Sequence, residues 1–368
     1  MVAAVLAGVS AVIWWGILLA PWRPWSTRER LETGDPSASD FTDLTVLIPA
    51  RDEASVLPRT LAALAEQGGH PKVIVVDDQS SDGTAAIAAD AGANVIAGVP
   101  LPTGWTGKVW ALEQGRRRTD TRWLLLLDAD IELRPGALAA LRARAVQDDR
   151  QFVSVMARLR MESFWERLLM PAFIYFFKLL YPFALANSAR RWIAAAAGGC
   201  VLVEAEVLAE LGGFGAIKDA VIDDCALARA VKNKGRRTWI GLSQSVVSRR
   251  EYRSLGSIWE MVARTAFTQL HYSSLLLALC TLALALACWM PVAGLFFPAG
   301  RWLAVAAWAA MAASYWPTLR YYDRSPLWCI AMPAIGTLYL AMTWHSAWRY
   351  WRGVRSRWKN RDYSRQAA

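Results

Sequence analysis

Lys72-Val73-Ile74-Val75-Val76-Asp77-Asp78 and Trp123-Leu124-Leu125-Leu126-Leu127-Asp128-Ala129-Asp130 each carry an unbroken apolar stretch straight into carboxylates. Apolar runs of this length, without alternation, read as strands buried on both faces of a parallel sheet. In open α/β sheets, ligands bind outside the carboxyl ends of such strands. Carboxylates placed there are costly to bury unless hydrogen bonds or a cation compensate them. Asp128-Ala129-Asp130 at a strand end suits Mg²⁺ or Mn²⁺, which take one or two protein carboxylates plus substrate phosphates. The pair of strands therefore points to a divalent-metal site for a nucleotide diphosphate.

Strand and helix signals alternate outward from this pair. Strands are expected at Leu44–Ile48, Val73–Val76, Asn94–Ala97 and Trp123–Leu127, then at Phe152–Ala157 and Cys200–Val203. Helices are expected at 54–67, Asp82–Ala91 closed by Gly92, Lys108–Arg118, 135–147 opened by Pro135, and Asp219–Lys234 capped by Gly235. This alternation predicts an α/β fold with a mostly parallel sheet and right-handed crossovers.

Composition adds a membrane. A hydrophobic content of 55% and 20 tryptophans are too high for an ordinary soluble enzyme. No charged side chain precedes Arg23, and further charge-free runs cover Tyr272–Gly300, Trp302–Leu319 and Ser325–Trp348. Each is near or above the length that spans a bilayer. The cations Arg23, Arg28 and Arg30 follow the first apolar run instead of preceding it, which favours an uncleaved anchor with its downstream side cytoplasmic. Phe164 to Phe183 is also strongly apolar, but Lys178, Pro171 and Pro182 interrupt it, so 163–187 reads as an interfacial helix. The expected organisation is an anchor at 1–22, a linker at 23–42 and a catalytic domain at 43–271 containing that segment. About three transmembrane helices follow in 272–348, then a basic tail at 349–368. Arg349, Arg352, Arg355, Arg357, Lys359, Arg361 and Arg365 face a single Asp362 there, a pattern for anionic headgroups and not for nucleic acid. The expected location is the inner membrane, multi-pass, with the catalytic domain facing the cytoplasm. Five cysteines without a C-x-x-C and three scattered histidines give no zinc site, disulfide framework or histidine triad.

Several short segments can carry chemistry. Pro49-Ala50-Arg51-Asp52-Glu53 ends the first strand, and Asp78-Gln79-Ser80-Ser81-Asp82-Gly83-Thr84 ends the second. Asp82 reads equally as a helix N-cap, whereas Asp78 is the member expected to reach a ligand. Gly104-Trp105-Thr106-Gly107-Lys108 joins glycine, a helix start and a lysine, a combination that favours a diphosphate without P-loop spacing. Asp223-Asp224 opens a helical stretch; the pair either complements the helix dipole or supplies a general base opposite a leaving group.

Together these residues resemble the family-2 glycosyltransferases with the A-type nucleotide-sugar fold, from Thr45 to about Arg264. The resemblance implies that Pro49, Ala50, Arg51, Glu53 and Asp78 line the nucleobase and ribose, and that Lys108 meets the diphosphate. It implies Asp130 as metal ligand, Asp128 beside it near the nucleoside, and Asp224 as catalytic base with Asp223 in support, where the family usually has Glu-Asp. Of the family's Q-x-x-R-W motif, Met261-Val262-Ala263-Arg264-Thr265 keeps only Arg264 as a diphosphate contact. The order of anchor, G-W-x-G-K, Met170-Pro171-Ala172-Phe173, Ile222-Asp223-Asp224-Cys225, C-terminal apolar block and basic tail is most similar to the bacterial hopene-associated glycosyltransferases.

The expectation is an inverting, metal-dependent transfer from a UDP-sugar to a lipid hydroxyl, hopanoid-related. Its rivals are transfer to a polyprenyl phosphate and a non-catalytic membrane protein on a degenerate domain. The C-terminal apolar runs carry no Asp, Glu, Lys or Arg that would mark a transport path. With three C-terminal spans the basic tail would lie outside, against the positive-inside tendency.

Overall fold

The strands of the main sheet are β1 (Arg30–Leu31), β2 (Leu44–Ala50), β3 (Lys72–Asp77), β4 (Asn94–Ala97), β5 (Trp123–Leu127), β6 (Ile131–Leu133), β7 (Phe152–Arg158), β8 (Cys200–Glu204) and β9 (Thr238–Ser248). They come from a computed structural model that describes residues 1–33, 40–358 and 361–364. The sheet order is β1-β9-β7-β8-β5-β2-β3-β4, with β6 on β9. β2 pairs parallel with β3 and β5, β3 with β4, and β9 with β7 and β1. β8 runs antiparallel between β5 and β7, and β6 antiparallel to β9. The carboxyl ends of β2, β3, β5, β7 and β9 therefore share one edge with the start of β8.

Alternate residues of the central strands enter two separate cores, which is why their sequences are apolar without a break. Val46, Ile48, Leu125 and Leu127 pack with Leu57, Leu61 and Leu138, whereas Leu47, Leu124 and Leu126 pack with Val109, Leu112 and Phe214. Leu125 is fully buried, so Leu125→Ala should cost about 2–5 kcal/mol.

The expected helices are present with trimmed ends: Leu57–Ala65, Thr84–Asp90, Gly107–Arg116, Ala137–Gln147 and Asp223–Asn233. Two starts differ for local reasons. Gly136 takes a left-handed φ of 81° before Ala137, so Pro135 belongs to the preceding turn and does not open the helix. The last helix begins at Asp223, not Asp219, which puts Asp223 and Asp224 in its first turn. β9 lacks a continuous apolar run because Gly241, Ser243, Gln244 and Ser245 interrupt it, yet it is the longest strand among the described residues. The expected linker is also part structure: Arg30–Leu31 adds an edge strand to β9, while 34–39 lies outside the described residues.

The chain divides into two compact units. The sheet unit comprises Glu29–Arg160 and Leu185–Glu251. The other comprises Met1–Arg28, Met161–Ala184 and Tyr252–Ala368, so most of 163–187 and the stretch 252–271 group with the terminal helices and not with the sheet. In that second unit, Trp14 Nε1 donates to the Ala287 carbonyl at 2.7 Å. Helix Phe164–Leu180 starts in a capping box between Ser163 and Glu166 and continues through Pro171. Its Tyr175 hydroxyl meets Ser314 Oγ at 2.7 Å, and its Leu169 carbonyl accepts from Tyr339 at 2.8 Å. Lys178 is buried rather than presented to headgroups, with Nζ 3.3 Å from the Trp25 carbonyl. Val2–Leu19, Ser274–Phe296 and Pro326–Trp351 are long and apolar enough to cross a membrane. Arg301–Tyr321 is a 21-residue helix that carries Arg301, Pro317 and Arg320. In the basic tail, Arg349 pairs with Glu260, while Lys359 and Arg365 lie outside the described residues.

Candidate active site

Four of the expected residues converge at the carboxyl edge of the sheet. Helix Gly107–Arg116 brings Lys108 there because Gly115 lets it approach β2; a Cβ on Gly115 would lie 2.1 Å from Leu47 Cδ1. Lys108 Nζ lies 2.7 Å from Asp128 Oδ1 and 3.7 Å from Asp223 Oδ2, and it donates to the Gly198 carbonyl at 3.3 Å. The pairing Leu127↔Cys200 sets Asp128 beside Gly199, whose carbonyl accepts the Asp128 N–H at 3.0 Å. Pro49, Lys108, Asp128, Gly198, Asp223 and Asp224 line one pocket with free space of about 20 Å³, room for a single water. A nucleoside diphosphate does not fit there while Lys108 bridges the carboxylates.

Electrostatics follow from this crowding. Burial, reinforced by Asp223, pushes the Asp224 carboxyl up to about 7, although Lys108 and the backbone of Cys225 and Gly198 oppose it. Burial also raises Asp128, with Lys108 opposing. For Lys108 the order is reversed: burial alone would lower it, but Asp128, Asp223 and Asp224 together hold the ammonium well above its usual range.

A second cluster stands at the ends of β2, β5 and β9. Arg250 Nη2 reaches Glu53 Oε1 at 2.7 Å and Asp130 Oδ1 at 3.1 Å, and Ser248 Oγ donates to Asp130 Oδ2 at 2.6 Å. Asp130 is thus buried against Arg250, while Asp128 is the member of the D-x-D that faces the pocket. The loop Arg51–Ala54 is tied to the loop after β3. The Asp52, Glu53 and Ala54 N–H groups donate to Ser80, Thr84 and Asp82 side chains at 2.9–3.0 Å. That lacing accounts for the hydroxyl-and-acid spacing of 80–84. Asp82 accepts from Thr84 N at 3.2 Å, but Gly83, with φ 82°, occupies the N-cap position itself. Asp78 is fully buried, with Arg51 donating to its carbonyl at 2.5 Å. Ala50 is buried at the end of β2. Arg264 is exposed at the end of helix Leu255–Ala263, in the unit outside the sheet.

Asp128 offers the hard oxygens that Mg²⁺ or Mn²⁺ takes beside phosphate and water, whereas both Asp130 oxygens are engaged by Arg250 and Ser248 and would join a metal shell only after releasing them. Among the described residues no group of three or more His, Cys, Asp or Glu is placed to hold an ion unaided. The cation that the pocket favours is already represented by the Lys108 ammonium.

Gly198, Ser248 and Arg250 were not legible as site residues. A Cβ on Gly198 would meet Asp224 Oδ2 at 3.2 Å and Lys108 Nζ at 3.3 Å, so only glycine leaves both side chains in place. The Gly198-Gly199 pair before a strand was the available signal for the first; Ser248 and Arg250 follow from β9.

Comparison with known proteins agrees with the fold. Residues 45–212 match the family described as Glycosyl transferase family 2. A 4,4'-diaponeurosporenoate glycosyltransferase of Staphylococcus haemolyticus is 40% identical over 92 residues, 24% of this chain and 24% of that protein. Its Staphylococcus aureus counterpart is 34% identical over 126 residues, 33% of this chain and 34% of that protein. The matched segment thus spans about a quarter to a third of these curated relatives. They are named for a diaponeurosporenoate and not for a hopene. A mannosyltransferase of Pyrobaculum calidifontis, solved with GDP-Man and Mn²⁺, superposes with a TM-score of 0.52 at 19% identity. That alignment covers 93% of this chain and 99% of the other, and the mostly parallel α/β fold is shared.

Proposed function

We propose that this chain is a membrane-bound glycosyltransferase that moves a sugar from a nucleotide-diphosphate donor, a UDP-sugar, to the hydroxyl of an apolar lipid at the cytoplasmic face. The observation that carries the reading is the convergence of Lys108, Asp128, Asp223 and Asp224 on one pocket at the carboxyl edge of the sheet. Lys108 leaves Asp128 for the diphosphate and neutralises it, which opens the pocket. Asp224, kept near neutral pH in its affinity for a proton, takes the acceptor's proton. Attack from the face opposite the leaving group then inverts the sugar's anomeric centre. A divalent cation held by Asp128 and Asp130 would supply charge compensation for the departing diphosphate. Arg51, Glu53 and Asp78 sit in the interlaced loops where the nucleoside is expected.

The three apolar helices support a lipid acceptor and attachment to the membrane. A hopanoid-related hydroxyl is the acceptor this reading favours. A second reading takes a lipid carboxylate, since the staphylococcal relatives are named for an acid anion. A carboxylate brings no proton to remove. Membranes carrying the full chain, supplied with labelled UDP-sugars and matched lipid alcohols or acids, separate the two. Asp224→Asn should lower transfer to the alcohol by about 10²-fold and spare transfer to the acid. Absence of label in either lipid, with every donor tried, would falsify the proposal.

A further inference from the structure

Arg150 stands just before β7 and Arg237 just before β9, and these strands run parallel. Both arginines therefore lie at the amino edge of the sheet, opposite the edge that carries Asp128. With Asn187, Arg191, Lys232 and Arg236 they line a cavity of about 450 Å³. No Asp or Glu lines it among the described residues.

The positive charge there is only partly compensated. Asp149 pairs with Arg237 at 3.2 Å, and Glu210 pairs with Arg236, neither acid being part of the lining. Arg150, Arg191 and Lys232 have no carboxylate partner among the described residues. Lys232 is 4% exposed, and its Nζ donates to the carbonyls of Ile193 at 2.8 Å and Arg190 at 3.1 Å. An ammonium has three protons, so one stays available. Arg150 Nη1 donates to the Asn187 and Thr238 carbonyls at 3.1 Å, and its Nε is buried with no hydrogen-bond partner. Burying cations without an anion is costly. Burial, and then Arg150, pull the Lys232 ammonium down to about 8, the direction a nearby anion would reverse.

We propose that this cavity is a second anion site, separate from the donor pocket, and that it takes a phosphate-bearing ligand. Guanidinium forks match phosphate oxygens in pairs, and an ammonium adds a point charge. The carboxyl end of helix Asp223–Asn233 opposes an anion, but that effect fades within the last turn and is small beside the several cations that line the cavity. The phosphate has two sources with the same chemistry, a lipid headgroup or a soluble phosphate.

The test uses the full chain in a neutral detergent, where its 20 tryptophans report unfolding. Inorganic phosphate, titrated at constant ionic strength, should raise Tm. Arg191→Gln, at an exposed position, and Lys232→Met should each need about tenfold more phosphate for the same rise. Lys108→Met, which removes the donor pocket's own phosphate contact, should keep a rise that still depends on Arg191. Loss of the rise in Lys108→Met, or wild-type behaviour of Arg191→Gln, overturns the proposal even if Lys232→Met fails to fold. Nanodiscs then identify the source. A Tm gain in phosphatidylglycerol over phosphatidylcholine that Arg191→Gln abolishes assigns a headgroup; a phosphate effect with no lipid difference assigns a soluble ligand.

Discussion

Lys108 Nζ and Asp128 Oδ1 lie 2.7 Å apart, and this contact closes the pocket proposed for the donor. Its ammonium stays charged because Asp128, Asp223 and Asp224 outweigh the cost of its burial. Lys108→Met removes that compensation and leaves the carboxylates to repel one another. The side chains are 21% and 33% exposed, so the loss should be about 1–3 kcal/mol, less than for a fully buried pair. UDP affinity should fall at least about tenfold in a calorimetric titration. Unchanged UDP affinity would remove Lys108 from the donor site.

If Asp224 is the base, the activity should depend on pH in a fixed direction. Its folded value of about 7 lies above the usual carboxylate range, so the base form grows as pH rises. Transfer to an alcohol should be half-maximal near pH 7 and lost below about 6. The same shift acts on stability with the opposite sense. The protonated carboxyl favours the folded state below the ordinary carboxylate range, and that contribution is lost as pH rises through about 7. The Tm difference between Asp224→Asn and wild type should therefore grow from pH 5 to pH 8. A flat difference across this window would show that Asp224 is not shifted.

The central sheet was legible because strands buried on both faces must be apolar throughout, as Val73–Val76 and Trp123–Leu127 are. The carboxylates after them were legible for the same reason, since charge at such an end needs a purpose. β9 was not legible: its Gly241, Ser243, Gln244 and Ser245 are held by pairing with β7 and β1, which local pattern does not record. With β9 went Ser248 and Arg250, and so the engagement of Asp130. Helix Phe164–Leu180 was legible as apolar, but not its packing on Ser314 and Tyr339, far along the chain.

Asp128 and Asp130 should differ in how they fail. Asp128 faces the pocket, whereas Asp130 is held by Arg250 and Ser248. EDTA should abolish transfer by wild type, and Mn²⁺ or Mg²⁺ should restore it. Asp130→Ala should not be restored at any metal concentration that rescues wild type, because it would lose the proposed ligand and it removes the carboxylate that Arg250 shares with Glu53. Full activity of Asp130→Ala in EDTA would exclude the metal assignment.

Gly198→Ala tests the close approach around the base. The added methyl would stand 3.2 Å from Asp224 Oδ2 and 3.3 Å from Lys108 Nζ, so both must move by a few tenths of an ångström. Their ends are flexible, and the fold should lose only about 0–1 kcal/mol. Misplaced reacting groups are expensive, so kcat should fall about tenfold or more. An unchanged kcat would mean that Asp224 does not need its observed position.

Helix Phe164–Leu180 is the local argument for an apolar acceptor. Its Tyr175 and Lys178 are buried, whereas Phe164 and Leu180 are 59% and 60% exposed and Phe173 is half-buried. Single exposed apolar side chains are ordinary on a protein surface, but this helix belongs to the unit that holds the three helices long and apolar enough to cross a membrane, so a lipid surface is the partner we predict for them. Phe164→Ser combined with Leu180→Ser should therefore raise KM for a vesicle-borne acceptor several-fold and leave UDP affinity unchanged. Phe176→Ser is the contrasting case. Its ring lies 5.1 Å from that of Tyr339, so its loss should lower Tm first. Equal losses of UDP binding and acceptor use in the Phe164/Leu180 variant would make the helix ordinary core and remove this support for a lipid substrate.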